Sequence, residues 1–523
     1  MVDRQQELWQ QGQRFTQQKR WDRAAAAYKT LLDQSPGLVP AWLELSSAQE
    51  GLDQYRDARN SVLRAASASG PAVAPMLGMT IVRRLRRFEE NALFQAYIDA
   101  TGLHTRVPAD KLVDLAMFMS SIGAYDKTAR WIDAALRANP NLVEAHNMLG
   151  LLHMFGGKRE QAVAAFERVI ALRPSFGPAY SVLSRLGAVS RAHNHVDSLG
   201  KLLSEPGLAR KDEVHYAYAL HNELHDLGEY DDAWAALQRA CKARKQLQPY
   251  DHANTLRMFD RQRALFAAGS VEGTAVEDPL VPIFIIGMHR SGTTLLERIL
   301  AGHGEVADAG ETYTFSAQMR LATDHFCAGT ADLELIERSP ASDFQAVGRG
   351  FLEAMRWRAR GKRFITEKLN PNFILAGQIA KALPQARLLH MQRDPADTCF
   401  SNLRTLFTTE AAYSYDQLEV ADYYKAYSDL MQHWREVAPG RIFDIRYEDL
   451  VARSETEAAR VAAHCGLEFD QHMLDLGRDS GMVATASSHQ VRQGILKDRG
   501  GAWRPYARHL APMLDRLASH GLA

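Results

Sequence analysis

The chain has 523 residues, well beyond the roughly 100 to 200 that one core usually takes, so two or more folding units are expected. Apolar residues make up 46% and charged residues 24%, a globular balance that excludes extensive disorder. Lys plus Arg and Asp plus Glu both number 62, so no net field draws the chain onto nucleic acid and any anion site must be local.

The opening stretch MVDRQQELWQQGQRF is polar and lacks the apolar core of a signal peptide. No later stretch supplies the ~18 uninterrupted apolar residues of a membrane span, so a soluble, cytoplasmic chain is expected. Cys241, Cys327, Cys399 and Cys465 lie far apart without metal-ligand spacing, which predicts reduced, buried thiols rather than a zinc site or a disulfide framework.

Residues 1–266 read as helical repeats. An aromatic or long residue is followed three later by a small one at Trp21 and Ala24, Tyr55 and Ala58, Tyr125 and Thr128, Arg159 and Ala162, and Tyr230 and Ala233. The clearest unit is NPNLVEAHNMLGLLHMFGGKREQAVAAFERVIALRP, whose Pro140 and Ala145 recur as Pro174 and Ala179, a period of about 34 residues. It resembles the tetratricopeptide repeat (TPR). Each such unit has two amphipathic helices that cannot bury their apolar faces alone, so neighbours stack into an α-solenoid. The match is poor between residues 65 and 120 and between 185 and 225. The array is read either as a surface that holds a protein partner or as a spacer or dimerisation arm.

Between Gly269 and Pro282 the helical period gives way to SVEGTAVEDPLVP, a run of small and turn-forming residues that makes 267–280 a linker. Over 281–523, short β-rich runs (VPIFIIG, RFITEK, ARLLHMQ, RIFDIRY) alternate with helical stretches. That pattern predicts an α/β domain with a parallel sheet, whose ligands sit at the carboxyl ends of the strands.

The first run leads into Gly287-Met288-His289-Arg290-Ser291-Gly292-Thr293-Thr294 and then a helical pattern. Strand, glycine-containing turn and helix form a P-loop-like cradle of backbone N–H groups for a phosphate. Thr293 stands where a nucleotide P-loop has Lys, which disfavours an ATPase or kinase, while Arg290 offers a fork of donors to phosphate or sulfonate.

The stretch PIFIIGMHRSGTTLLERIL resembles the 5′-phosphosulfate loop of sulfotransferases, including tyrosylprotein sulfotransferases and bacterial proteins that join TPR repeats to such a domain. The resemblance covers about residues 281 to 507. It implies that Arg290, Ser291, Gly292, Thr293 and Thr294 bind the 5′-phosphosulfate of the donor 3′-phosphoadenosine 5′-phosphosulfate (PAPS), and that Arg393 and Ser401, in LLHMQRDPADTCFSNL, bind its 3′-phosphate. It further implies that Ser487, Gln490, Val491, Arg492 and Trp503 close over the donor. Here the sequence departs from the family, with Ala502 where a basic residue usually precedes the Trp.

Sulfuryl transfer needs a base for the acceptor hydroxyl and fixed cations for the departing phosphate. By the same resemblance Glu311, in AGHGEVADAGETYTF, is the general base, with His289 and His303 as rivals. Lys368, in RFITEKLNPNF, approaches the bridging oxygen, the alternative being a strand-end charge paired with Glu367. The segment Arg446-Tyr447-Glu448-Asp449 is read as mostly structural. No metal is expected. The resulting expectation is PAPS-dependent transfer to a hydroxyl on a protein or peptide tyrosine or on a glycan. The competing expectation is a TPR adaptor whose sulfotransferase-like domain has lost turnover.

Overall fold

The computed structural model describes residues 2–187, 189–267, 271–274, 276–407, 410–477 and 500–522. Among them, fifteen α-helices run from Val2 to Leu265, followed by a five-stranded sheet with its own helices. The solenoid and the parallel sheet expected from the sequence are both present.

The aromatic-to-small spacing marks one repeated structural event. Trp21, Tyr55, Tyr125, Arg159 and Tyr230 are each the first residue of a helix: Trp21–Gln34, Tyr55–Ala68, Tyr125–Ala138, Arg159–Leu172 and Tyr230–Leu247. The small residue one turn on is sealed from solvent in all five. It lets the preceding helix approach closely enough for side chains to bond backbone across the crossing. Ser46 Oγ donates to Ala58 O at 2.8 Å, Thr128 Oγ1 to Ala116 O at 3.3 Å, and His221 Nδ1 pairs with Ala233 O at 2.8 Å. A bulkier residue there would push the helices apart and leave voids in the seam.

Where the spacing fails, the array continues with altered parts. Helices Pro75–Arg87 and Asn91–Thr101 fill the first gap, with buried Phe94 standing where the other units carry a small residue. The second gap follows a short helix, Gly177–Leu183, and within it another, Val196–Leu203, precedes Arg210–Leu227.

Strands β1 (Val281–Gly287), β2 (Val306–Asp308), β3 (Phe364–Glu367), β4 (Arg387–Gln392) and β5 (Ile442–Arg446) pair in the order β2-β3-β1-β4-β5. All pairings are parallel, so every carboxyl end faces the same edge. Central β1 is buried on both faces, as its unbroken apolar run requires.

The array docks on this domain at two places. Near its start, Asp53 accepts from Phe326 N at 2.8 Å, His325 Nδ1 at 2.7 Å and Arg338 at 3.0 Å, while Tyr55 packs against Phe326. Near its end, Tyr218 Oη donates to Leu403 O at 3.1 Å and His225 Nδ1 pairs with Tyr506 Oη at 2.8 Å. The helix His252–Leu265 buries Phe259 against Phe373, and Gln262 Nε2 donates to Ile374 O at 2.7 Å. One apolar core therefore runs from the last array helices into the sheet. All four cysteines are buried and unbridged. Among the described residues, no helix is long and apolar enough to cross a membrane.

Candidate functional site

The loop from Met288 to Gly292 leaves the carboxyl end of β1 and enters the helix Thr293–Leu300. Its course needs glycine at both ends. Gly287 has φ 145°, and a Cβ there would lie 2.6 Å from Met391 O. Gly292 has φ 104°, and a Cβ there would lie 2.5 Å from the Tyr447 ring. Arg290 itself sits at φ 69°, a conformation a non-glycine residue adopts only when its surroundings hold it.

Those surroundings are two asparagines that the sequence reading did not single out. Asn370 Nδ2 donates to Met288 O at 2.9 Å and meets Thr293 Oγ1 at 3.1 Å. Asn402 Nδ2 donates to His289 O at 2.7 Å. The position of Asn370 two residues past Lys368, at the end of a strand, was the available signal. Asn402 offered none beyond its place next to Ser401.

Arg290, Ser401 and Arg393 come together although 111 residues separate the first two. Arg290 Nε donates to Ser401 Oγ at 3.1 Å, and Arg393 Nη1 donates to Arg290 O at 3.2 Å. Arg393 also lies over the Tyr447 ring, 4.9 Å from its centroid. Tyr447 thus supports both Gly292 and Arg393, in keeping with the structural reading of the segment that carries it. Ser291, Thr293 and Thr294 are buried in the cradle, and Ser291 Oγ has no hydrogen-bond partner among the described residues. A buried hydroxyl without a partner costs about 1–3 kcal/mol, so an anion that accepts from it would relieve that cost.

Lys368 follows β3 and its side chain is fully buried; its Nζ pairs with Glu311 Oε1. Glu367, the alternative partner, turns away instead. It accepts from Thr312 Oγ1 and Asn372 Nδ2, both at 2.9 Å, and burial pushes its pKa up to about 7. Glu311 caps no helix, because the next one begins after Tyr313. Its turn is fixed from behind by Glu297, whose Oε1 accepts from Gly310 N at 3.1 Å and Thr366 Oγ1 at 3.0 Å.

The rival histidines occupy different settings. His303 precedes β2, at the amino end of the sheet away from Glu311, and its Nδ1 accepts from Glu305 N at 3.1 Å. His289 lies in the loop, bonded through Nδ1 to Tyr413 Oη at 2.9 Å; burial pushes its pKa down to about 4. It is therefore neutral near neutral pH.

A cavity of about 830 Å³ opens beside this constellation. His289 and Tyr313 line it from the domain, and Arg83, Arg86 and Arg87 from the array. Ser487, Gln490, Val491 and Arg492 lie outside the described residues. Just after them, Asp397 accepts from Gly501 N at 2.8 Å, and Trp503 packs against the core. Among the described residues no cluster of three or more His, Cys, Asp or Glu side chains could hold a metal ion.

Residues 282–471 match the model of the sulfotransferase family, and residues 143–176 match a tetratricopeptide repeat model. An uncharacterized protein of Aquifex aeolicus is 26% identical over 370 residues, covering 69% of this chain and 48% of that protein. The chain thus spans about half the length of that relative. Protein-tyrosine sulfotransferase 2 of Gallus gallus is 23% identical over 254 residues, 45% of this chain and 68% of that protein. Among solved structures, the sulfotransferase domain of the Synechococcus olefin synthase is 18% identical with a TM-score of 0.32, covering 47% of this chain and 98% of that one. Residues 282–471 are therefore a sulfotransferase-family domain, carried behind a helical array that contains a tetratricopeptide repeat.

Proposed function

We propose that the chain transfers the sulfuryl group of PAPS to an acceptor hydroxyl on a protein or peptide tyrosine or on a glycan. The observation that carries this reading is the meeting of Arg290, Ser401 and Arg393 around a cradle in which Ser291 Oγ is buried without a partner among the described residues. Two guanidinium groups, hydroxyls and backbone N–H donors suit a ligand with phosphate at one end and phosphosulfate at the other.

In the reaction the acceptor oxygen attacks sulfur in line as its proton passes to Glu311. The bond from sulfur to the bridging oxygen breaks, and its electron pair leaves on 3′-phosphoadenosine 5′-phosphate (PAP). Lys368, buried and paired with Glu311, turns its ammonium to that developing charge. Its present pairing holds Glu311 at the mouth of the loop, beside the leaving-group side of the site. The grouping of Arg290, Glu311, Lys368, Arg393 and Ser401 at one edge of the sheet supports turnover over a purely adaptor role.

The test is calorimetric titration of PAP into the wild-type chain and Arg290→Ala. Micromolar or tighter binding that weakens about tenfold or more in the variant is expected, since a charged hydrogen bond is worth about 1.5–3 kcal/mol. Folded wild-type protein that binds no PAP would overturn the reading and leave the adaptor role in its place.

A further inference from the structure

We propose that the helical array forms one wall of the acceptor site, and that Arg86 on the helix Pro75–Arg87 reads an anionic group on the acceptor. The proposal rests on the sulfuryl-transfer reading above and assigns to the array a part in substrate choice.

The cavity between array and sheet, at about 830 Å³, has the size of a small-molecule or side-chain site. It adjoins the proposed chemistry: His289 precedes Arg290 in the donor loop, and Tyr313 lies two residues after Glu311. A hydroxyl approaching Glu311 through this space would leave the rest of its molecule facing the array.

The array presents cations there. Arg83 pairs with Asp114 at 3.1 Å and Arg87 with Glu50 at 2.8 Å, so both charges are already answered. Arg86 differs. Its Nε donates to Ser121 Oγ at 3.2 Å and its guanidinium lies 5.0 Å from the Phe118 ring centroid, and neither group carries charge. Burial pushes its pKa down, partly opposed by Glu89, so its charged form lacks solvation that an anion would restore. The remaining ionisable groups of the lining are Arg320, Glu89, Glu410, Cys327 and four tyrosines and a histidine. Arg320 is held by Cys327 and Gly329 O, and burial raises Glu410 towards its neutral form. Cations thus outweigh anions, and a planar guanidinium suits a carboxylate, phosphate or sulfate.

The wall is held in place by bonds independent of any ligand. Besides the three bonds to Asp53, Arg56 N donates to Asp324 Oδ1 at 2.8 Å and Arg56 Nε to Leu321 O at 2.8 Å. Phe88, one residue beyond the arginine-bearing helix, packs on Phe326 of the sheet domain at 5.8 Å. A spacer would need no such seat for this helix.

The experiment is calorimetric titration of 3-(4-hydroxyphenyl)propionate and of its neutral methyl ester into the full chain saturated with PAP. The wild type is expected to bind the acid about tenfold or more tightly than the ester, and Arg86→Ala to bring the two within about twofold. Arg86→Gln, which keeps a donor for Ser121, repeats the test if thermal melting shows that Arg86→Ala unfolds. Equal binding by the wild type, or an acid preference that survives both folded variants, would overturn the proposal, as would binding of PAP with neither phenol bound. A preference for the acid in protein that fails to bind PAP would sink the donor reading and leave the array-borne anion site standing.

Discussion

The proposed donor loop and the neighbouring cavity meet at His289, yet they are assembled from the chain in different ways. The loop is one contiguous stretch, Gly287 to Thr294, whose backbone supplies much of its chemistry and whose path is fixed by φ values that glycine makes accessible. The cavity draws its lining from residues 83–118, 248–258, 289–331, 371–374 and 410–423, five stretches that line one space only when the array docks. On the proposed function, a backbone cradle fixes what must be the same for every acceptor. A wall of side chains on a separate array can change without disturbing it.

Substitutions at the shared edge break this division most strongly. Lys368→Ala removes the buried cation beside the donor loop and leaves Glu311 without its partner. The expected result is a fall of about 10²–10³ in the rate of transfer from labelled PAPS to 3-(4-hydroxyphenyl)propionate, measured under single-turnover conditions. A loss of less than about fivefold would remove Lys368 from the chemistry.

The same division explains what the sequence disclosed. Arg290, Ser401 and Arg393 were legible because each belongs to a short motif at a strand end, and a parallel sheet carries all strand ends to one edge. The repeats were legible wherever a small residue marks the helix crossing, and lost where Phe94 fills that position with bulk instead. Holding backbone carbonyls leaves no spacing signature, so Asn402 escaped notice, and Asn370 could be sought only through its place at a strand end beside Lys368. Arg86 escaped because its role depends on a fold-wide juxtaposition: in the sequence it is one arginine among four in RRLRR, the face of an ordinary basic helix.

A second variant sharpens the comparison by loosening the array without touching either binding surface. Asp53→Ala deprives Phe326 N, His325 and Arg338 of their shared acceptor. A destabilisation of about 1–2 kcal/mol in thermal or denaturant melts is expected. Binding of the phenolic acid should weaken a few-fold while PAP binding stays unchanged, because the donor loop is braced by Asn370 and Asn402 within the domain. Equal weakening of both ligands would show that the two halves are not separable.

The narrowest effect, confined to one pH window, concerns the residue that links the two halves. Glu297 lies on the helix that follows the donor loop, and its carboxylate oxygen holds Gly310 N, next to the proposed base. Burial raises its pKa from 4.5 to about 7, with Asp308 and Glu311 acting in the same direction and Lys368 against them. A carboxyl raised in the folded state binds more protons folded than unfolded. Its contribution to stability is therefore fully present below about pH 4.5 and is lost as pH rises through about 7, an effect on the order of 1–3 kcal/mol. Glu297→Gln keeps an acceptor for Gly310 N and Thr366 Oγ1 but cannot ionise, so it lacks this loss. Other groups titrate over the same range, Glu367 among them, and they contribute equally to both proteins. Melting curves at pH 5 and pH 8 should thus fall further for the wild type than for Glu297→Gln, by ~2 °C or more. Parallel falls would mean that Glu297 is already ionised at pH 5, with Lys368 compensating its charge, and that proton uptake at this carboxyl plays no part in joining the donor loop to the acceptor side.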